Sequence, residues 1–301
     1  MMPETARQFA RDQRIGQGAI FLCAILWSTN GLCIKLLEWH PFVIAGMRSF
    51  VSALFMTAMR FAFPRRRKEP FKLRFLWGGG VSYALMMIFF CSANKLTTSA
   101  NAILLQYGAP IWAALLGWAL AGEKPKLTSW ISMVMVMGGL VLFSRDALQS
   151  GSFFGNGLAI VSGIFFGANS VFLRIQKEGD PADSMLLAHI LAAAVSIPFI
   201  FVYPPQFNPG NILALLFMGI IQIGLASLLF AYGIRRIPAV QAMLTSVIEP
   251  VLNPVWVFLV TGERPTLAAL LGGSIIIAAV MVSALGNTQG ENRRPGLTPG
   301  T

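Results

Sequence analysis

The sequence predicts an all-α integral membrane protein with ten transmembrane helices arranged as two inverted five-helix repeats. Three observations predict it. Of 301 residues, 55% are hydrophobic and 12% charged, with mean hydropathy +0.67, whereas soluble domains run at about 25% charged. Ten mostly apolar runs approach the ~20 residues that cross a ~30 Å hydrocarbon core. The second half also repeats the punctuation of the first at an offset near 140 residues.

The runs are 16–37, 42–63, 75–94, 98–121, 128–144, 154–174, 183–203, 211–233, 237–261 and 266–285. No strand-like alternation recurs in segments of about ten residues, which argues against a β-barrel. The first run exceeds the apolar core of a signal peptide (7–15 residues), and no A-x-A site follows it, so it is expected to stay in the membrane. It carries Trp27 and Asn30. The second opens with HPFVIAGMR and holds Arg48; the third holds Gly78-Gly79-Gly80 and Tyr83. With no P-loop Lys-Ser/Thr after it and no strand before it, the glycine run reads as close helix packing. The fourth run holds Asn101, Tyr107, Pro110 and Trp112, and the fifth is the short one. The sixth carries Phe166 and Asn169, the seventh His189, the eighth Tyr232. The ninth reads Gln241, Thr245, Glu249, Asn253 at four-residue spacing, with Pro250 and Pro254 among them. Such spacing drifts by about 40° per step, giving a slanting polar stripe on one side of a helix. Cys23, Cys33 and Cys91 all fall inside runs and read as buried small hydrophobes; no disulfide or metal spacing appears.

The net charge of +11 is distributed by topology. With the N-terminus placed in the cytoplasm, 18 of the 23 Lys and Arg are assigned inside and four outside, and only Arg48 is left in the interior of a run, Lys35, Arg60 and Arg174 lying at run ends. That is the positive-inside pattern, and it puts both termini in the cytoplasm. The basic loop PRRRKEPFKLR at 64–74 reads as an anchor on anionic lipid, not a nucleic-acid site. The expected organisation is a cytoplasmic tail at 1–15, a first repeat at 16–145, a second at 146–286 and a cytoplasmic tail at 287–301.

At an offset of 140, Glu123 meets Glu263, Pro110 meets Pro250, Gly122 meets Gly262, Pro125 meets Pro265, and Lys124 meets Arg264. At 139, Gly18 meets Gly157, Asn30 meets Asn169, and Lys35 meets Arg174. Five spans per copy is an odd number, so the second copy enters from the opposite side. Inverted repeats are a transporter architecture, with substrate sites near the bilayer midplane between the halves.

Pro110 followed by Gly122-Glu123, Glu249-Pro250 followed by Gly262-Glu263, and HPFVIAGMR at 40–48 together resemble the EamA-type exporters of the drug/metabolite transporter superfamily. The resemblance covers about residues 16–285. It implies ten helices in a basket around a central cavity, a transport role, and, by analogy with one branch, export of amino acids including aromatic ones. Nucleotide-sugar carriers share the superfamily, but no intramembrane Lys/Arg cluster awaits a pyrophosphate. Small multidrug exporters use a carboxylate in the first span, which is lacking here.

A charge at the bilayer centre costs about 2.5–3.5 kcal/mol on insertion scales, so Glu249 is expected to face the interior. Three uses are open to it: binding a cationic substrate group, carrying a proton, or satisfying a neighbouring helix through Arg48 or His189. Pro110 strands the carbonyl of Gln106, and Pro250 that of Ser246; each break is either a packing kink or a receptor for a substrate ammonium. Arg48 and His189 are given structural roles, and Glu123 and Glu263 are each expected to tie a helix end to a neighbouring loop. Asn30 and Asn169 are assigned equally to helix contacts and to substrate.

The candidate substrate-binding set is Trp27, Asn30, Tyr83, Asn101, Tyr107, Phe166, Asn169, Thr245 and Glu249, a mixture of aromatic walls and convergent polar groups that suits small amphipathic ligands. The expected partners are that small molecule and the lipid bilayer of the inner (plasma) membrane. No nucleic acid or cofactor is expected, and a monomer is. An enzyme is disfavoured because His40 and His189 are the only histidines and no nucleophile or metal constellation appears. A passive channel is the remaining alternative; no filter motif supports it.

Overall fold

The computed structural model describes residues 4–30, 33–34, 37–63, 73–97, 99–143, 152–261 and 266–289. Every regular element among them is helical. They are α1 (Glu4–Trp27), α2 (Pro41–Ala62), α3 (Leu73–Leu96), α4 (Ser99–Gln106), α5 (Ala109–Ala121), α6 (Leu127–Phe143), α7 (Phe153–Ile175), α8 (Pro181–Val202), α9 (Pro209–Leu216), a π-helical segment (Phe217–Leu225), α10 (Ala226–Ile234), α11 (Ala239–Ser246), α12 (Ile248–Thr261) and α13 (Leu267–Gln289). Among the described residues, six runs are long and apolar enough to cross a membrane: 41–62, 73–96, 101–121, 153–175, 181–202 and 209–234. Shorter apolar helices occupy 127–142, 239–252 and 270–284.

Helix starts follow local chemistry. α2, α8 and α9 each open on a proline, whose missing N–H is no loss in a first turn. Asp180 caps α8 by accepting from the Ala182 N–H, and Asn208 caps α9 by accepting from the Asn211 N–H at 2.7 Å. Gly122 ends α5 at φ +66°, a left-handed conformation that only glycine adopts without strain. The first helix departs from expectation. It starts at Glu4 within ETARQFARDQR, where Ala, Arg, Gln and Glu favour helix, and it ends at Trp27, ahead of a turn at Ser28 and Thr29. Both hydroxyls there bond carbonyls three residues back.

The fourth and ninth runs are each broken. α4 gives way to α5 at Tyr107–Gly108, and α11 to α12 at Val247. Each break carries one tight turn bond of 3.3 Å, Gly108 N–H to Leu105 O and Val247 N–H to Leu244 O. Gly108 sits at φ/ψ −65/−10° and Val247 at −64/−9°, well short of the helical ψ of about −42°. Pro110, two residues beyond Gly108, and Pro250, three beyond Val247, cannot continue the ladder.

The bundle exposes large apolar side chains and buries polar ones among its hydrophobic core. Phe153 is 94% exposed, and Phe61, Phe201 and Leu127 also point outward. Arg48, His189, Asn169 and Ser162 are buried. A water-soluble fold would hide the first group and expose the second; a lipid-immersed one does the reverse. Small residues let the helices close in. α3 packs along α7 and α8, with Gly78 against Phe172, Gly79 against Leu173 and Ser184, and Gly80 against Leu187, as expected for the glycine run. Gly163 and Gly167 of α7 lie on the backbone of Gln106, Ala109 and Ala113, leaving no room for a Cβ. α2 pairs with α8, α6 with α13, and α1 with α10.

Interhelix hydrogen bonds secure these seams. Asn169 donates to Gly79 O at 3.0 Å, and Gln176 donates to Phe75 O at 2.7 Å. Arg174 holds Glu123 at 2.9 Å and donates to the carbonyls of Ile234 and Arg235, so Glu123, just past the end of α5, is tied to the last turn of α7 and not to a loop. Arg60 pairs with Asp183 at the ends of α2 and α8.

Gly167→Leu is therefore expected to destabilise the protein by at least the ~1–3 kcal/mol typical of overpacking. Gly157→Ala, where an added Cβ meets nothing within 4 Å, is expected to be neutral or slightly stabilising. Thermal unfolding in detergent checks both; equal effects would contradict the close α7–α5 approach.

Candidate functional site

A central cavity is enclosed by α1, α2, α3, α4, α7, the π segment and α12. Its volume is about 30 Å³, as reached by the centre of a water molecule; that is space for about two waters.

One wall is aromatic. Trp27, at the end of α1, meets Phe166 edge-on at 5.5 Å and Phe230 at 5.3 Å. Trp27 and Phe166 face the cavity, with Tyr83, Met86, Met87 and Phe90 from α3. Tyr83 stands edge-on to His189 at 5.7 Å. His189 Nε2 lies 3.0 Å from the Ser227 hydroxyl, tying α8 to α10.

The polar lining comes from Asn30, Arg48, Gln106 and Glu249. Arg48 is 1% exposed, and its Nη1 donates to Asn30 Oδ1 at 2.6 Å. Its Nε is buried and has no hydrogen-bond partner. Gln106 donates to Ser162 Oγ at 2.8 Å, and Ser162 donates to Met86 O, so one chain of bonds links α4, α7 and α3. Glu249, 6% exposed, sits in the first turn of α12. The Tyr107 hydroxyl is 2.6 Å from Glu249 Oε2 and 2.9 Å from Ser246 O. Its single proton is shared between the carboxyl group and the carbonyl stranded by Pro250.

Of the nine sequence candidates, Trp27, Asn30, Tyr83, Phe166 and Glu249 converge on this cavity. Tyr107 lies behind Glu249 and holds it. The other three are bonded elsewhere in the bundle: Asn169 to α3, Asn101 Nδ2 to Thr97 Oγ1 at 3.4 Å, and Thr245 Oγ1 to Gln241 O on its own helix. The described hydrogen-bond partner of Glu249 is Tyr107 rather than Arg48 or His189. The Asn253 side chain and residues 262–265 lie outside the described residues. Sequence reasoning had not placed Arg48 and Gln106 at the site. The available signal for Arg48 was its place in the interior of an apolar run, where the other basic residues within runs lie at the ends.

The EamA-like transporter family matches this chain twice, over residues 14–145 and 153–285. The chain belongs to the EamA-like transporter family. It is therefore a multi-pass membrane protein of a family of transporters. An uncharacterized transporter from Archaeoglobus fulgidus is 25% identical over 276 residues, covering 91% of this chain and 97% of its own. The pseudopaline exporter CntI of Pseudomonas aeruginosa is 26% identical over 210 residues, 66% of this chain and 71% of its own. A solved crystal structure shares the fold with TM-score 0.76 at 21% identity, covering 92% of this chain and 98% of that one. The two EamA matches contribute to the same cavity, the first through Arg48 and the second through Glu249.

Tyr107→Phe removes the donor from Glu249 and from Ser246 O, at an expected cost of ~1–3 kcal/mol. In a double-mutant cycle with Glu249→Gln, thermal unfolding should reveal a coupling of about 0.5–3 kcal/mol. Strict additivity would separate the two side chains.

Proposed function

We propose that this protein is a secondary transporter exporting small metabolites, foremost amino acids including aromatic ones, across the inner (plasma) membrane by alternating access. The observation that carries the reading is one buried cavity lined from both EamA matches, with an arginine and a glutamate at its wall. Ionisable groups at membrane depth mark substrate or ion paths, and the aromatic wall suits the apolar part of a small organic molecule. The names of the relatives, transporters and a pseudopaline exporter, support small-molecule export.

The proposed frame has ten spans in two antiparallel five-helix copies, at 16–145 and 146–286, with both termini cytoplasmic. The matching dihedrals at the two breaks support it, as does the pairing of α2 with α8 and α6 with α13, each an element with its own counterpart in the other copy. A cavity of about 30 Å³ is too small for an amino acid, so loading requires the helices to part; rocking of one copy against the other supplies that motion.

In proteoliposomes, the protein is expected to give saturable counterflow for members of an amino-acid panel, measured with and without an imposed pH gradient. Flux that rises linearly with concentration would favour a channel instead. Accessibility labelling should place Lys124 and Arg264 on opposite faces of the membrane; labelling of both from one face would remove the inverted frame.

A further inference from the structure

We propose that Arg48 and Glu249 form a two-ended charge receptor, Arg48 for an anionic group and Glu249 for a cationic one, which makes the cavity selective for zwitterions. The proposal rests on the export reading of the same cavity and assigns its substrate contacts. Arg48 carries five N–H donors. Its described hydrogen bond goes to a neutral amide, Asn30, and its Nε is buried without a partner. A guanidinium kept at membrane depth purely for structure needs a counter-anion, because an uncompensated buried charge costs several kcal/mol.

The nearest candidate anion is in view and is not used. Glu249 lines the same cavity, yet no ion pair joins it to Arg48, whereas Arg60–Asp183 and Arg174–Glu123 pair at helix ends. Glu249 is held instead by a neutral phenol, Tyr107. Two ionisable groups of opposite sign thus face one space, each bonded to a neutral neighbour and not to the other. The complement of that arrangement is a molecule carrying both an anionic and a cationic group. A carboxylate accepts the arginine fork in the bidentate geometry that makes such contacts strong. A primary ammonium meets the glutamate, and the Trp27–Phe166 wall takes the apolar remainder. Asn30 is a positioning residue: its 2.6 Å bond fixes one arm of the guanidinium and leaves the rest of the fork for ligand.

The test uses phenylalanine, 2-phenylethylamine and 3-phenylpropanoate, which share the ring and differ in charge. Binding to purified full-length protein is followed by tryptophan fluorescence, and counterflow is measured in liposomes with the same three compounds. The wild type should bind phenylalanine at least tenfold more tightly than either analogue. Arg48→Gln should bring phenylalanine down to the level of phenylethylamine, and Glu249→Gln should bring it down to that of phenylpropanoate. Where Arg48→Gln does not fold, Arg48→Lys, which keeps the charge but loses the fork, should lower the phenylalanine to phenylethylamine ratio at least threefold. An unchanged ratio in a folded Arg48 variant overturns the receptor, as does wild-type protein that binds none of the three or binds them equally. Zwitterion selectivity in binding without counterflow would keep the receptor and sink the export reading. Equal counterflow of all three would keep export and sink the receptor.

Discussion

Proline has no N–H to give, and inside a membrane there is no water to answer the carbonyl it strands. Pro250 strands the carbonyl of Ser246, and the Tyr107 hydroxyl answers it from the opposing broken helix. The same hydroxyl reaches Glu249. One interaction therefore satisfies the backbone at the α11–α12 break, fixes the carboxyl group at the cavity wall and joins the two broken helices. The other break is served by close approach: Gly163 lies directly against the carbonyl of Gln106, the one stranded by Pro110. Backbone satisfaction at depth thus shapes the site before any ligand enters it.

Around this centre the bundle relies on small residues and on amide and hydroxyl bonds rather than on hydrophobic sorting. Lipid tails are as apolar as leucine, so apolar contact alone gives helices little reason to prefer each other over lipid. Glycines on α3 and α7 bring backbones together, and Asn169, Gln176 and Ser162 supply directional bonds across the seams. These bonds are modest singly, about 0.6–2 kcal/mol each, yet they choose which faces meet. In the π segment, Gln222 donates to Thr29 at the turn that ends α1, so two departures from regular helix are bonded to each other beside the cavity. Departures of this kind recur at functional sites.

Much of the site was legible because charges and aromatics are conspicuous in an apolar chain. Glu249 announced an inward face, and Trp27 and Phe166 were found through the Asn30/Asn169 match, one turn away from each. The same match misled by symmetry: Asn30 turns to Arg48 and the cavity, while Asn169 turns to the backbone of α3. Periodicity places a residue on a helix face, but which helix covers that face depends on the packing of all the others. Arg48 was underestimated for the same reason. Its distance along the chain from Glu249 says nothing about sharing a cavity with it.

The sequence by itself determined that the chain lives in a membrane, that it is helical, and that it breaks near Pro110 and Pro250. Each of these follows from composition, local propensity or the chemistry of a single residue, all of them additive along the chain. Only the tertiary structure decided that Tyr107 rather than Arg48 or His189 holds Glu249, that Arg48 faces the cavity, and that the cavity measures about 30 Å³. Those facts depend on angles and distances between helices far apart in sequence, which are set by the cooperative fit of small residues across many seams at once.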